Sequence, residues 1–79
     1  MQTKYLKINS EDNVAVALVA LHVGESVTVG GKVIGVVQEI PAGHKFALKD
    51  FAEKEFIVKY GYAIGHAREA IAEGGLVNE

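Results

Sequence analysis

The chain contains no cysteine, no tryptophan and a single proline, and aromatic residues make up only 8% of it. Without cysteine there is neither a disulfide frame nor a thiolate metal site, a composition that suits a reducing compartment. The longest apolar run, Val14 to Leu21, falls far short of the ~20 residues that cross a bilayer. The leading "MQTKYLKINSEDN" has no apolar stretch after its lysines, so it does not read as a secretory signal. A cytoplasmic protein with no membrane partner is expected. Eight basic residues against ten acidic ones give a net charge of −2. The basic residues are scattered, which argues against nucleic acid as a partner. At 79 residues the chain is expected to form one domain over 1–79. A core of that size yields only ~3–5 kcal/mol and leaves little for a deep, self-contained active site.

What the chain does have is glycine at a regular spacing. An apolar residue, a glycine three places on and an apolar residue three further on occur as Leu21-Gly24-Val27, Ile40-Gly43-Phe46 and Ile71-Gly74-Val77. Phe51-Lys54-Ile57 repeats the spacing with lysine at the glycine position. The pattern predicts turns whose central residue takes φ > 0 and whose flanking side chains return to one core. A lysine in that role costs about 1 kcal/mol.

The remaining segments read as short strands. "KYLKI" and "ESVTV" alternate, and "KVIGVVQEI" follows Gly30-Gly31, a two-residue hairpin signal. "EFIVKYGYAIG" reads as one further strand. "SEDNVAVALVAL" is ambiguous, since Ser10, Glu11 and Asp12 resemble a helix cap while the valine-alanine alternation suits a strand; strand is favoured. No segment carries a helical stripe long enough for an α/β layer, so the expected fold is mainly β with single helical turns.

The densest cluster of chemistry is "IPAGHKFAL" at 40–48. Pro41 and Gly43 build a rigid turn, and His44 and Lys45 follow it. Successive strand side chains point to opposite faces, so at least one of the two must face outward. An outward histidine beside a lysine can anchor a carboxylate or act as an acid or base. Equally, His44 can satisfy the turn backbone while Lys45 is plain solvated surface. His22 precedes the turn glycine Gly24 and His66 follows Gly65, and each reads as a surface or capping residue. No ligand spacing such as His-x-x-x-His is present, so no metal site is legible. Ser10 and Ser26 sit in no nucleophile setting. Asp50, Glu53 and Glu55 lie near lysines and read as a charge-balanced edge that discourages strand-to-strand aggregation.

Taken together, "DNVAVAL" at 12–18, "IPAGHKFALKD" at 40–50 and "VKYGYAIGHA" at 58–67 resemble the N-terminal domain of the altronate and galactarate dehydratase family. That resemblance implies a SAF domain with the β-clip fold, as in type III antifreeze proteins. The family's Gly-His-Lys falls on Gly43, His44 and Lys45, and its Tyr-Gly-x-x-Ile-Gly on Tyr60, Gly61, Ile64 and Gly65, with Gly61 and Gly65 expected as turn glycines. The family pattern closes with glycine, two residues, valine and a His-x-His-Asn tail. Here Gly74 and Val77 match, but Asn78 and Glu79 follow.

The resemblance further implies part of a sugar-acid hydro-lyase, working with a separate large catalytic domain or subunit. The related sulfolactate sulfo-lyase has such a domain as a free-standing small subunit. The implied reaction is β-elimination from a hydroxy acid such as altronate or galactarate. In it His44 would be an acid/base candidate and Lys45 a carboxylate-binding one. The chain alone would bind no cofactor, whereas a divalent metal, iron or manganese, could serve the assembled enzyme. A homo-oligomer is compatible with the sequence. The reading from another class is a non-catalytic β-clip module that binds a carbohydrate or a protein partner.

Overall fold

A computed structural model describes residues 4–7 and 9–78. Ile8, which ends the expected first strand, and Glu79 of the C-terminal tail lie outside the described residues. Eight short strands follow one another: β1 (Tyr5–Leu6), β2 (Val14–Ala17), β3 (Ser26–Val29), β4 (Lys32–Gly35), β5 (Lys45–Ala47), β6 (Phe56–Lys59), β7 (Tyr62–His66) and β8 (Leu76–Val77). A four-stranded antiparallel sheet has the order β1-β2-β5-β8, and β3-β4 and β6-β7 form separate hairpins. Mainly β architecture is as expected, but the single helical turns are absent among the described residues. Hydrogen-bonded turns without helical continuation take their place.

The repeated spacing organises the molecule. Gly24, Gly43, Lys54 and Gly74 have φ of 93°, 85°, 71° and 82°. Each is the third residue of a four-residue turn closed by a backbone bond: Glu25 N to His22 O (3.0 Å), His44 N to Pro41 O (3.1 Å), Glu55 N to Ala52 O (3.1 Å) and Gly75 N to Ala72 O (2.8 Å). That position requires φ > 0 in a type II turn, which explains glycine at three of the four. The apolar residues ahead of the turns pair with one another, Leu21 with Ile40 and Phe51 with Ile71, as isolated antiparallel bridges.

The result is two related halves. Leu21, Gly24, Val27 and Gly31 correspond to Phe51, Lys54, Ile57 and Gly61, and the bonds correspond as well. Gly24 N donates to Val36 O (3.0 Å) as Lys54 N does to Ala67 O (2.7 Å), and Gly43 N donates to Ala17 O (2.7 Å) as Gly74 N does to Ala47 O (2.9 Å). Each half closes its own core. Leu21, Val27, Ile40 and Phe46 cluster in one, and Phe51, Ile57 and Val77, with Ile71 packed against them, in the other. Strand β2 serves both, Ala15 and Ala17 facing the first core and Val14 the second. Burial on two sides explains why an unbroken apolar run here is a strand and not a helix. Ahead of it Asp12 closes a turn, its N–H bonded to Asn9 O at 3.0 Å and its Oδ2 accepting from Asn9 N at 3.2 Å. The expected helix cap is that turn.

Three expectations need correction. "EFIVKYGYAIG" is a hairpin, with Lys59 opposite Tyr62 and the reversal made by Tyr60 (φ 57°) and Gly61 (φ 78°). A tyrosine in the left-handed region hid the turn. Strand β4 stops at Gly35, because Val36 N turns back to Glu25 O (2.9 Å) and the run to Ile40 becomes a connection. Gly65 lies within β7 opposite Ile57, beside a register shift that leaves Ile64 unpaired, and so is a strand glycine next to a bulge.

The turns predict graded effects of alanine. At Gly43 an added Cβ meets nothing within 4 Å, so Gly43→Ala carries only the conformational cost of ~1–2 kcal/mol. At Gly74 a Cβ would overlap the carbonyl oxygen of Gly35, and Gly74→Ala is expected to cost more than about 3 kcal/mol or to prevent folding. Lys54→Gly relieves left-handed strain but loosens the unfolded chain, leaving stability equal or up to about 1 kcal/mol higher. Thermal melts of the three variants check this ordering; equal shifts for both alanines would contradict it.

Candidate functional site at the Pro-Ala-Gly-His-Lys turn

His44 sits at the exit of the turn with its backbone held on both sides. Its N–H closes the turn on Pro41 O, and its carbonyl accepts from Ala17 N at 2.9 Å. The imidazole is exposed. Lys45 opens β5, between Val16 of β2 and Val77 of β8, and is half-buried. Neither side chain forms a hydrogen bond or ion pair with another described residue. Phe46 and Ala47 after them are both fully buried, so β5 is covered on both faces and the alternation expected from the sequence does not decide the exposure of His44. Pro41 and Gly43 hold the backbone, while His44 points to solvent.

The second half of the chain acts as an internal control. The corresponding turn, Ala72-Glu73-Gly74, is followed by Gly75 and Leu76 and makes the same backbone bonds, Gly75 O accepting from Ala47 N at 2.9 Å. The turn therefore needs neither histidine nor lysine. Continuing the antiparallel register of Lys45 with Val77 places Asn78 across from His44.

The other histidines are elsewhere. His66 ends β7 opposite Phe56 and is exposed. His22 is paired, its Nδ1 lying 2.7 Å from Glu39 Oε1, while Glu39 Oε2 accepts from Val23 N at 2.8 Å. The hydrogen bond and the charge of Glu39 raise the His22 pKa. The same bond, followed by that from Val23, lowers Glu39. This pair fastens the Leu21–Ile40 bridge and is a structural clip, not a site.

Sequence reasoning missed two residues. Asp12 is buried and accepts from Gly61 N at 2.9 Å, tying the second hairpin's turn to the start of β2. Asn13 copies a strand partner for β6, its Oδ1 accepting from Val58 N (2.7 Å) and its Nδ2 donating to Phe56 O (3.0 Å). Both sit in the stretch that looked like a helix cap, and only the distant hairpin gives them their role. Of the expected charged edge only Glu55 is paired with a lysine among the described residues, Lys49, whereas Asp50 Oδ1 accepts from the backbone N–H of Glu73.

Two open clefts mark the surface. One of about 440 Å³ runs between Val37-Gln38 and the segment from Arg68 to Ala72. The other, about 320 Å³, is bordered by Lys7, Lys32 and Lys49, of which Lys32 is held by Glu73 at 2.6 Å. His44 and Lys45 line neither. No three histidine, aspartate or glutamate side chains among the described residues converge as metal ligands. The described residues do not fit a divalent ion on their own. No helix of the described residues is long and apolar enough to cross a membrane.

This is a small β module with doubled hairpins and one polar, outward turn. The sequence profile of the altronate/galactarate dehydratase SAF domain matches residues 3–79, and the chain belongs to that family. It is 45% identical over 71 residues to altronate dehydratase of Escherichia coli, covering 90% of this chain and 14% of that protein. Galactarate dehydratase (L-threo-forming) of the same organism is 35% identical over 77 residues, 95% of this chain and 14% of the relative. With (2R)-sulfolactate sulfo-lyase subunit alpha of Chromohalobacter salexigens the identity is 44% over 39 residues, 49% of this chain and 42% of that one. The chain thus spans about a seventh of the length of the dehydratases it matches.

The His22–Glu39 clip yields a pH prediction. A raised His22 contributes stability that is present below its ordinary value near 6.5 and lost as pH rises through the raised one. A lowered Glu39 contributes stability present above about 4.5 and lost as pH falls through its own lowered value. The pair is intact between the two. Because it is exposed, the effect on melting is small, and the direct reading is an NMR titration. His22 should titrate above 6.5 and move back toward it in Glu39→Gln; an unmoved midpoint in that variant would refute the clip.

Proposed function

We propose that this chain is the small module of a sugar-acid hydro-lyase, presenting His44 and Lys45 to a substrate held mainly by a separate, larger catalytic region. The observation that carries the reading is the internal comparison: the turn folds without histidine or lysine when it recurs at Gly75 and Leu76, so their presence at 44 and 45 has no structural origin. A rigid backbone with an exposed imidazole is what a positioned acid/base requires. The relatives' names supply the substrate class, altronate or galactarate.

In β-elimination a proton leaves the carbon beside the carboxylate, the carbon–oxygen bond one carbon further breaks, and the hydroxyl departs. The electron pair of the C–H bond becomes the new double bond, and proton and hydroxide together make one water. In this scheme the Lys45 ammonium balances the carboxylate charge that grows as the proton leaves. His44 carries a proton to the departing hydroxyl or orients it. His44 and Lys45 line neither cleft, so the substrate's enclosure around them has to come from outside this segment.

Two measurements test this. The purified 79-residue chain should dehydrate neither altronate nor galactarate; turnover by the chain alone would overturn the division of labour. With the large region restored, His44→Ala and Lys45→Ala should each lower turnover by roughly 10²-fold, while stability changes by less than about 1 kcal/mol. Turnover per folded molecule that stays intact in both variants would reduce the cluster to a turn.

A further inference from the structure

The hairpin β6-β7 has a surface that its counterpart lacks. Phe56 is 64% exposed, Tyr62 75%, Ile64 48% and Tyr60 46%. By the register, Phe56 and Ala63 lie on one face and Tyr62 on the other, with Ile64 in the bulge. The corresponding positions of β3-β4 are Ser26 for Phe56, Gly30 for Tyr60 and Lys32 for Tyr62. There one face is buried through Val27, Val29 and Ile34, and the other carries Ser26, Thr28 and Val33, the last 63% exposed but with no aromatic ring beside it.

Tyr60 is the telling residue. It occupies the left-handed region at φ 57°, where the first hairpin has Gly30 at φ 58°. A side chain there strains the backbone; within the hairpin the Tyr60 ring meets the Lys59 ammonium, 4.9 Å from its centroid, a surface contact that leaves the residue 46% exposed. An exposed apolar finger, anchored at its base by fully buried Ile57 and along β6 by Asn13, is built to be covered.

We propose that this finger inserts into an apolar cleft on the remaining part of a dehydratase polypeptide and fixes the module's position on it. This rests on the proposed function above. Spread over the two faces of the hairpin, the four side chains expose roughly 400–500 Å² in total, largely apolar, so neither face alone is a large patch. That is short of the ~800 Å² per partner of a free-standing complex. It suits a neighbour held at high effective concentration by the chain itself, and the dehydratase relatives carry most of their length outside the matched segment. Apolar side chains on both faces fit a cleft and do not fit the flat, self-complementary patch of a two-fold dimer.

The test uses intact E. coli altronate dehydratase in which the segment matched at 45% identity is replaced by this chain, alongside the free chain. Hydrogen exchange in the β6-β7 hairpin should slow by roughly tenfold or more in the chimaera relative to the free chain, with β3-β4 unchanged. Tyr60→Gly should leave the free chain as stable or more stable, yet release that protection, a combination that a merely structural tyrosine cannot produce. Equal exchange in both settings overturns the docking, whatever the activity. Protection already present in a self-associated free chain, or gained by the free chain on adding altronate, overturns it in favour of a second copy or of the sugar acid. Protection in a chimaera that fails to dehydrate altronate leaves the docking standing and sinks the catalytic reading instead.

Discussion

Four residues with left-handed backbone, Gly24, Gly43, Lys54 and Gly74, set the path of the whole chain. Each reverses direction in a turn so short that the apolar residues on either side come back to the same core. A domain this small has few kcal/mol of net stability, and a wrong hand at one such position removes about 1–2 of them. The constraint is tightest at Gly74, which packs against the backbone of Gly35. There the second half's turn touches the first half's hairpin. The two cores, otherwise joined through β2 and β5, are locked at that contact by backbone atoms, which no side-chain repacking can substitute.

The same constraint shapes the candidate site. Backbone bonds from Pro41 and Ala17 fix residue 44 without any help from its side chain. The imidazole is thus rigidly mounted and unused by the fold, a condition hard to meet in a small protein where most side chains are needed for packing. The cost of the arrangement is shelter. A chain whose buried residues are committed to two small cores has none left to wall off a substrate, and the dehydratase relatives have most of their length elsewhere.

Much of this was legible in the sequence. The φ > 0 requirement leaves a direct trace in residue type at Gly24, Gly43 and Gly74, and the turn at Lys54 is marked only because the flanking Phe51 and Ile57 repeat the spacing of the other three. Gly30-Gly31 marked the first hairpin for the same reason. Tyr60-Gly61 left no such trace, since tyrosine is not the residue a left-handed position selects, and the hairpin was read as one strand. Asp12 and Asn13 were illegible for a different cause. Their partners, Gly61, Val58 and Phe56, are distant in sequence, and a local pattern of Ser-Glu-Asp-Asn points to a cap with equal force. The proximity of Asn78 to His44 likewise follows only from the pairing of β5 with β8.

The duplication lets differences between the halves be sorted by what they cost. His44 for Gly75 and Lys45 for Leu76 cost the fold little, since the turn bonds are backbone bonds and one imidazole simply faces water. Lys54 for Gly24 carries strain but is solvent-exposed, a substitution that a charged surface residue tolerates. Tyr60 for Gly30 is different, because it adds the same strain and also exposes an aromatic ring beside Tyr62. The Lys59 ammonium over the Tyr60 ring, 4.9 Å from its centroid, offsets only part of that cost at an exposed site. On the proposed function the polar turn would meet a hydroxy acid through its carboxylate, and the apolar finger a complementary cleft. A larger region that receives the finger would hold the module by a surface separate from the imidazole. His44 could then remain open to substrate while the module stays fixed.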